Sequence, residues 1–124
     1  MKTLITIATF LLVSSIYGQK LYFEAAVEPA VGKVCIVKGT YEVDIQEASI
    51  VITALNRYEI KANIIGKEIY NVCSEDNHSF TITVYLVKVN GAFHKIIVRP
   101  DSVETRSEKG FQVIFTNNPQ ALFE

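Results

Sequence analysis

Two cysteines, two histidines and one pair of adjacent acids carry most of the reactive chemistry in this sequence. Cys35 and Cys73 lack CxxC spacing, and neither His78 nor His94 lies at zinc-ligand spacing. An even pair in a secreted chain most simply forms one disulfide, so a Cys35–Cys73 bridge is expected. Closing a loop of about forty residues would stabilise the fold by roughly 4 kcal/mol in the chain-entropy picture. Glu75 and Asp76 supply two carboxylates where calcium takes six to eight oxygens, which reads as a solvated loop and not a metal site. Asn77-His78-Ser79 is an N-glycosylation acceptor, and its polar surroundings predict an exposed Asn77. No GxSxG, HExxH or phosphate-binding glycine loop occurs. His94 alternates with apolar residues, as a packing histidine does. No catalytic residue, metal or cofactor is therefore expected.

The elements that must position these groups begin after an N-terminal leader. Met1-Lys2 gives a basic start, Leu4–Val13 an apolar run, and Ser14, Ser15 and Gly18 a small-residue stretch before Lys20. That order is a secretory signal peptide, with cleavage expected after Gly18. Only seventeen residues separate Lys2 from Lys20, several of them polar, against the roughly 20 apolar residues of a membrane span. Residues 19–124 then form one domain with eleven Lys and Arg against thirteen Asp and Glu. The charges are dispersed, which disfavours nucleic acid and anionic membrane surfaces as partners.

This expected mature chain holds thirteen Val and twelve Ile but only four Leu. β-Branched side chains crowd a helix and suit a pleated sheet. Alternation agrees over Thr40–Ile45, Tyr58–Ile64 and Phe111–Thr116. Further strands are expected at Leu21–Val27, Lys33–Lys38, Ala48–Leu55, Glu68–Cys73, Ser79–Val89 and Ala92–Arg99. Asn90-Gly91 predicts a type I′ turn joining the last two, with Val89 opposite Ala92. In that register Phe80, Ile82, Val84, Leu86, Phe93 and Ile97 share one face, which is expected to be core. Tyr85, Val87, His94, Ile96 and Val98 occupy the other, which is the candidate interaction or dimer face because so much exposed apolar surface marks a binding site. The polar segment Pro100–Gly110 reads as a loop and Asn117–Glu124 as a frayed tail. Seven to nine short strands make an all-β, immunoglobulin-like or transthyretin-like sandwich the expected architecture.

Val31-Gly32-Lys33-Val34-Cys35, followed by Gly39 and an aliphatic strand over Ala48–Leu55, resembles the opening of transthyretin-like domains. Asp76-Asn77-His78-Ser79-Phe80-Thr81-Ile82 resembles their later polar turn entering a Phe-containing strand. The secreted transthyretin-like proteins of nematodes also share the signal peptide and the size. The match covers about half of residues 19–124, with a longer connection after Cys35 and no histidine beside Cys73. The resemblance implies a small extracellular sandwich of binding type and transfers no site residue. The expected function is a secreted binding module without catalysis, recognising an extracellular protein or small apolar ligand through a sheet face or loops, with homodimerisation possible. A structural or matrix-type secreted protein is the second reading, and a small enzyme with an unrecognised site the third.

Overall fold

A computed structural model describes residues 18–123; the signal-peptide expectation for residues 1–18 falls almost entirely outside them. Eight antiparallel strands follow in order: β1 (Gly18–Ala30), β2 (Lys33–Gln46), β3 (Ser49–Ala54), β4 (Tyr58–Cys73), β5 (Ser79–Val89), β6 (Ala92–Val98), β7 (Ser102–Ser107) and β8 (Gln112–Thr116). Each pairs with the next, and β8 returns to β1 through Ala25–Thr116, Ala26–Phe115 and Val27–Ile114. The sheet is thus a closed up-and-down barrel. It is not the immunoglobulin-like or transthyretin-like sandwich that strand number and the resemblance implied. Strand number and alternation are common to both architectures, and what separates them is the β1–β8 pairing of sequence-distant segments.

Two irregularities help the sheet to curl. Gly39 and Thr40 of β2 face the single residue Glu24 of β1, and Ile65 is an extra residue in β4 between Ile64 and Gly66; such bulges bend a strand and increase its twist. They also explain why pairs of short expected strands are single long ones. Lys33–Lys38 and Thr40–Ile45 run together as β2, and Tyr58–Ile64 continues through the bulge to Cys73.

The Asn90-Gly91 turn forms as its chemistry requires, with φ of 50° and 83° and Val89 paired with Ala92. The direction of its faces is the reverse of expectation. Tyr85, Val87 and Ile96 point into the barrel and are buried, so this set is core and not a free interaction face. Phe80, Leu86 and Phe93 lie on the outside, exposed by 36, 37 and 42%. Both faces of the hairpin are apolar, so its own periodicity does not select the inner one. The curvature shared with β4 and β7 does. Ile97 is buried all the same, beside Glu104 on the outer surface.

The expected loop Pro100–Gly110 contains β7. Its polarity is misleading because Glu104, facing outward, is only 2% exposed beneath a lattice of partners. Arg99 donates to Glu104 Oε1 at 2.9 Å, while Arg106 Nε and Gln112 Nε2 donate to Oε2 at 2.9 and 2.7 Å. Burial works against the charge, but the Arg106 and Arg99 hydrogen bonds outweigh it and hold the carboxyl below its usual range. The expected frayed tail carries a short 3-10 turn, Pro119–Phe123.

Inside, Phe23, Tyr41, Val43, Ile50, Ile52, Val87, Ile96, Val103 and Phe115 fill most of the barrel. Outward positions include Glu42, Asp44, Glu59, Lys61, Lys88 and Lys95. The interior is apolar, and the exterior mixes these charged side chains with exposed apolar ones such as Tyr22, Leu86 and Phe93.

Candidate functional site

The barrel is not packed equally along its length. At the end bearing the turns Leu55–Arg57, Asn90-Gly91 and Glu108–Phe111, the side chains leave a hollow of about 190 Å³. Ile52, Ala62, Val87, Ile96 and Phe115, all buried, make its floor and lower wall. Ile60 and Phe111 line it yet are 36 and 63% exposed. Inward-facing residues so accessible mean that the hollow opens to solvent between them.

One polar grouping lines this mouth, and a second lies behind Tyr58, the one member of it that reaches the hollow. On one wall, β6–β7 pairing sets His94 directly across from Ser107, with Thr105 two positions along on the same face. Ser107 Oγ accepts the Phe111 N–H at 3.0 Å, which fixes the β7–β8 turn and leaves the hydroxyl proton to donate elsewhere. In the second grouping Arg57 donates to Glu28 Oε2 at 3.0 Å and to the Tyr41 hydroxyl at 2.9 Å. Tyr41 in turn donates to the Val37 carbonyl at 2.9 Å, and its ring tilts against Phe115 at 5.4 Å between centroids. The Arg57 guanidinium lies 5.3 Å from the Tyr58 ring centre.

Tyr58 reports this environment. Burial pushes its phenol up to about 12, the Glu28 charge adds to the rise, and Arg57 opposes it. The unfolded chain would release this proton near pH 10. Because the folded pKa is the higher one, Tyr58 contributes stability that is complete below about pH 10 and is lost as pH rises through about 12. In an alkaline absorbance titration Tyr58→Phe should remove a component of phenolate formation near pH 12. Its removal of an ordinary component near pH 10 would place Tyr58 in water.

Of the sequence-derived candidates, the structure brings Val87, His94 and Ile96 to the hollow, while Tyr85 and Val98 belong to the core further along the barrel. The grouping Glu28, Tyr41, Arg57 and Tyr58 escaped the sequence reading, since its members come from β1, β2, the β3–β4 turn and β4. Cys35 and Cys73 are both free. Cys35 pairs with Glu28 at the mouth end, and Cys73 closes β4 beyond the opposite end, so the expected intrachain bridge does not form in this architecture. Asn77 is exposed in the β4–β5 turn with φ of 62°.

No family model, curated protein or solved structure matches the chain. Among the described residues no three His, Cys, Asp or Glu side chains are grouped to hold a metal ion, and no helix is long and apolar enough to cross a membrane.

Proposed function

We propose that the protein is a secreted carrier or sensor that binds one small, mainly apolar molecule in the open end of the barrel, without transforming it. The observation that carries this reading is the 190 Å³ apolar hollow, open at one end and rimmed by a few hydrogen-bonding groups. Small-molecule sites have that composition, and eight strands enclose room for side chains or a single small ligand. An apolar cavity of about 150 Å³ admits benzene. The hollow therefore suits a substituted single ring or a short aliphatic chain.

The rim selects the charge of that molecule. No Asp, Glu, Lys or Arg is among the residues that line the hollow. His94, Thr105 and Ser107 offer hydrogen bonds on one wall. The fitting ligand is neutral with one carbonyl or hydroxyl group. A broader depression of about 480 Å³ at the opposite end is lined by Arg99, Asp101, Asn117 and Asn118 along with apolar residues, and is far more polar.

A panel of neutral phenols, aryl ketones and short-chain alcohols tests the reading by thermal shift and by methyl NMR. A binder at a hundred times its Kd should add about 2.7 kcal/mol of stability, with shifts concentrated on Ile60, Val87, Val89 and Ile96. His94→Leu should weaken ketones and alcohols more than an unsubstituted ring. The absence of any binder in the panel, or shifts confined to the outer surface, would refute it.

A further inference from the structure

We infer that two copies of the chain associate through the free edge of β4 beyond the barrel wall. The β3–β4 ladder ends at Ser49–Asn63, whereas β4 continues to Cys73, paired there only with β5. On the other side the β5–β6 ladder stops at Thr83–Val98. Gly66–Ile82 is therefore a two-stranded ribbon projecting beyond the closed part of the barrel. Along Ile65–Cys73 one row of backbone donors and acceptors has no neighbouring strand. An isolated ribbon of this kind is marginal in water, and an unpaired edge is a template for another strand.

Beyond Lys67 and the bulge at Ile65, the residues on this edge lack the usual protections. Ile65, Ile69 and Tyr70 are 50, 57 and 49% exposed, no proline interrupts the segment, and its only charges are Lys67 and Glu68. Those two charges choose both the partner and the register. In an antiparallel pair of identical edges, opposing residues lie on one face, and like charges directly opposite are unfavourable. Centring the pair on Lys67 or Glu68 would oppose each to itself. Centring it on Ile69 opposes Ile69 to Ile69, Lys67 to Asn71 and Glu68 to Tyr70, and engages the whole of Ile65–Cys73.

The Glu68–Tyr70 match repeats a preference already present within one chain, where the Tyr70 hydroxyl donates to Glu68. The outer surface adds a second reason. Tyr70, Val72, Phe80, Ile82 and Val84 stand on the same side of the ribbon through the pairs Tyr70–Ile82, Val72–Phe80 and Glu68–Val84. Edge pairing joins two such ribbons into a four-stranded sheet with one side apolar except for the Glu68 of each copy, which lies against a Tyr70. A second copy of this chain thus supplies the missing ladder with a two-fold, self-complementary contact.

The secreted protein should show a monomer–dimer equilibrium in sedimentation across a concentration series. Ile69→Lys, at an exposed position, should shift it towards monomer with an unchanged circular dichroism spectrum. In the pair centred on Ile69 the two Ile69 Cα atoms lie about 4.5–5.5 Å apart, within disulfide range. Ile69→Cys in a Cys73→Ser background should therefore form a covalent dimer under mild oxidation, while Lys67→Cys in that background should not. A protein monomeric at every concentration, or a dimer that neither Ile69→Lys disperses nor Ile69→Cys traps, would overturn the inference. Loss of fold in Ile69→Lys would leave the cross-linking comparison to decide it.

Discussion

Val87→Asp should unfold the protein, whereas Leu86→Asp, one residue away, should leave it folded. Val87 has no exposed surface, sits between Ile64 and His94 in the ladder, and faces the barrel interior. An ionised carboxylate placed there loses its water and gains no cationic partner. Substitutions of this class exceed 4–5 kcal/mol, comparable to the 5–15 kcal/mol that stabilises a typical domain. Leu86 faces outward between Gly66 and Lys95 and is 37% exposed. A carboxylate there stays hydrated beside a lysine, and the loss should be within about 1 kcal/mol. Urea unfolding followed by circular dichroism reads both variants. Tolerance of Val87→Asp together with unfolding by Leu86→Asp would mean that the faces are assigned the wrong way round.

That pair of substitutions marks the boundary of what the amino-acid sequence discloses. The register of the hairpin is legible because Asn90-Gly91 accepts positive φ angles and a two-residue turn fixes which residues oppose. The inner face is not legible, because Phe80, Ile82, Val84 and Leu86 are as apolar as Tyr85, Val87 and Val89. Their destiny depends on which side of the sheet becomes concave, and that is settled by Val27 pairing with Ile114 across most of the chain. β7 is hidden for a different reason. Glu104 looks like a loop residue until Arg99, Arg106 and Gln112 converge on it. The bridge between Cys35 and Cys73 rests on parity of number alone, which contains no distance.

The hollow shows the same division. The apolar lining contributed by β4 and β8 follows from alternating runs visible in the sequence, whereas that from β5 and β6 comes from a hairpin apolar on both faces. The emptiness of the hollow does not follow, because it depends on the fit among side chains from six strands. Nor does the polar grouping behind Tyr58, because Glu28 and Arg57 are 29 positions apart.

Filling the hollow should abolish binding without the usual penalty of an enlarged core residue. Ala62 is 1% exposed and lines the hollow on β4, across the ladder from Ile50. A cavity of about 150 Å³ already accepts a benzene molecule, so the phenyl ring of Ala62→Phe has space in 190 Å³. Ala54 is the matched control. It is 2% exposed and belongs to the same core, but it does not line the hollow. There an added ring has nowhere to go, and overpacking costs about 1–3 kcal/mol or more. Ala62→Phe should therefore keep or raise the melting temperature, and weaken the best neutral binder by at least about tenfold, or 1.4 kcal/mol. Ala54→Phe should lower the melting temperature, and the fraction still folded should bind with nearly normal affinity. Thermal unfolding and calorimetric titration on the two variants separate these outcomes. Equal destabilisation of both, with ligand still bound by Ala62→Phe, would move the binding site out of the barrel.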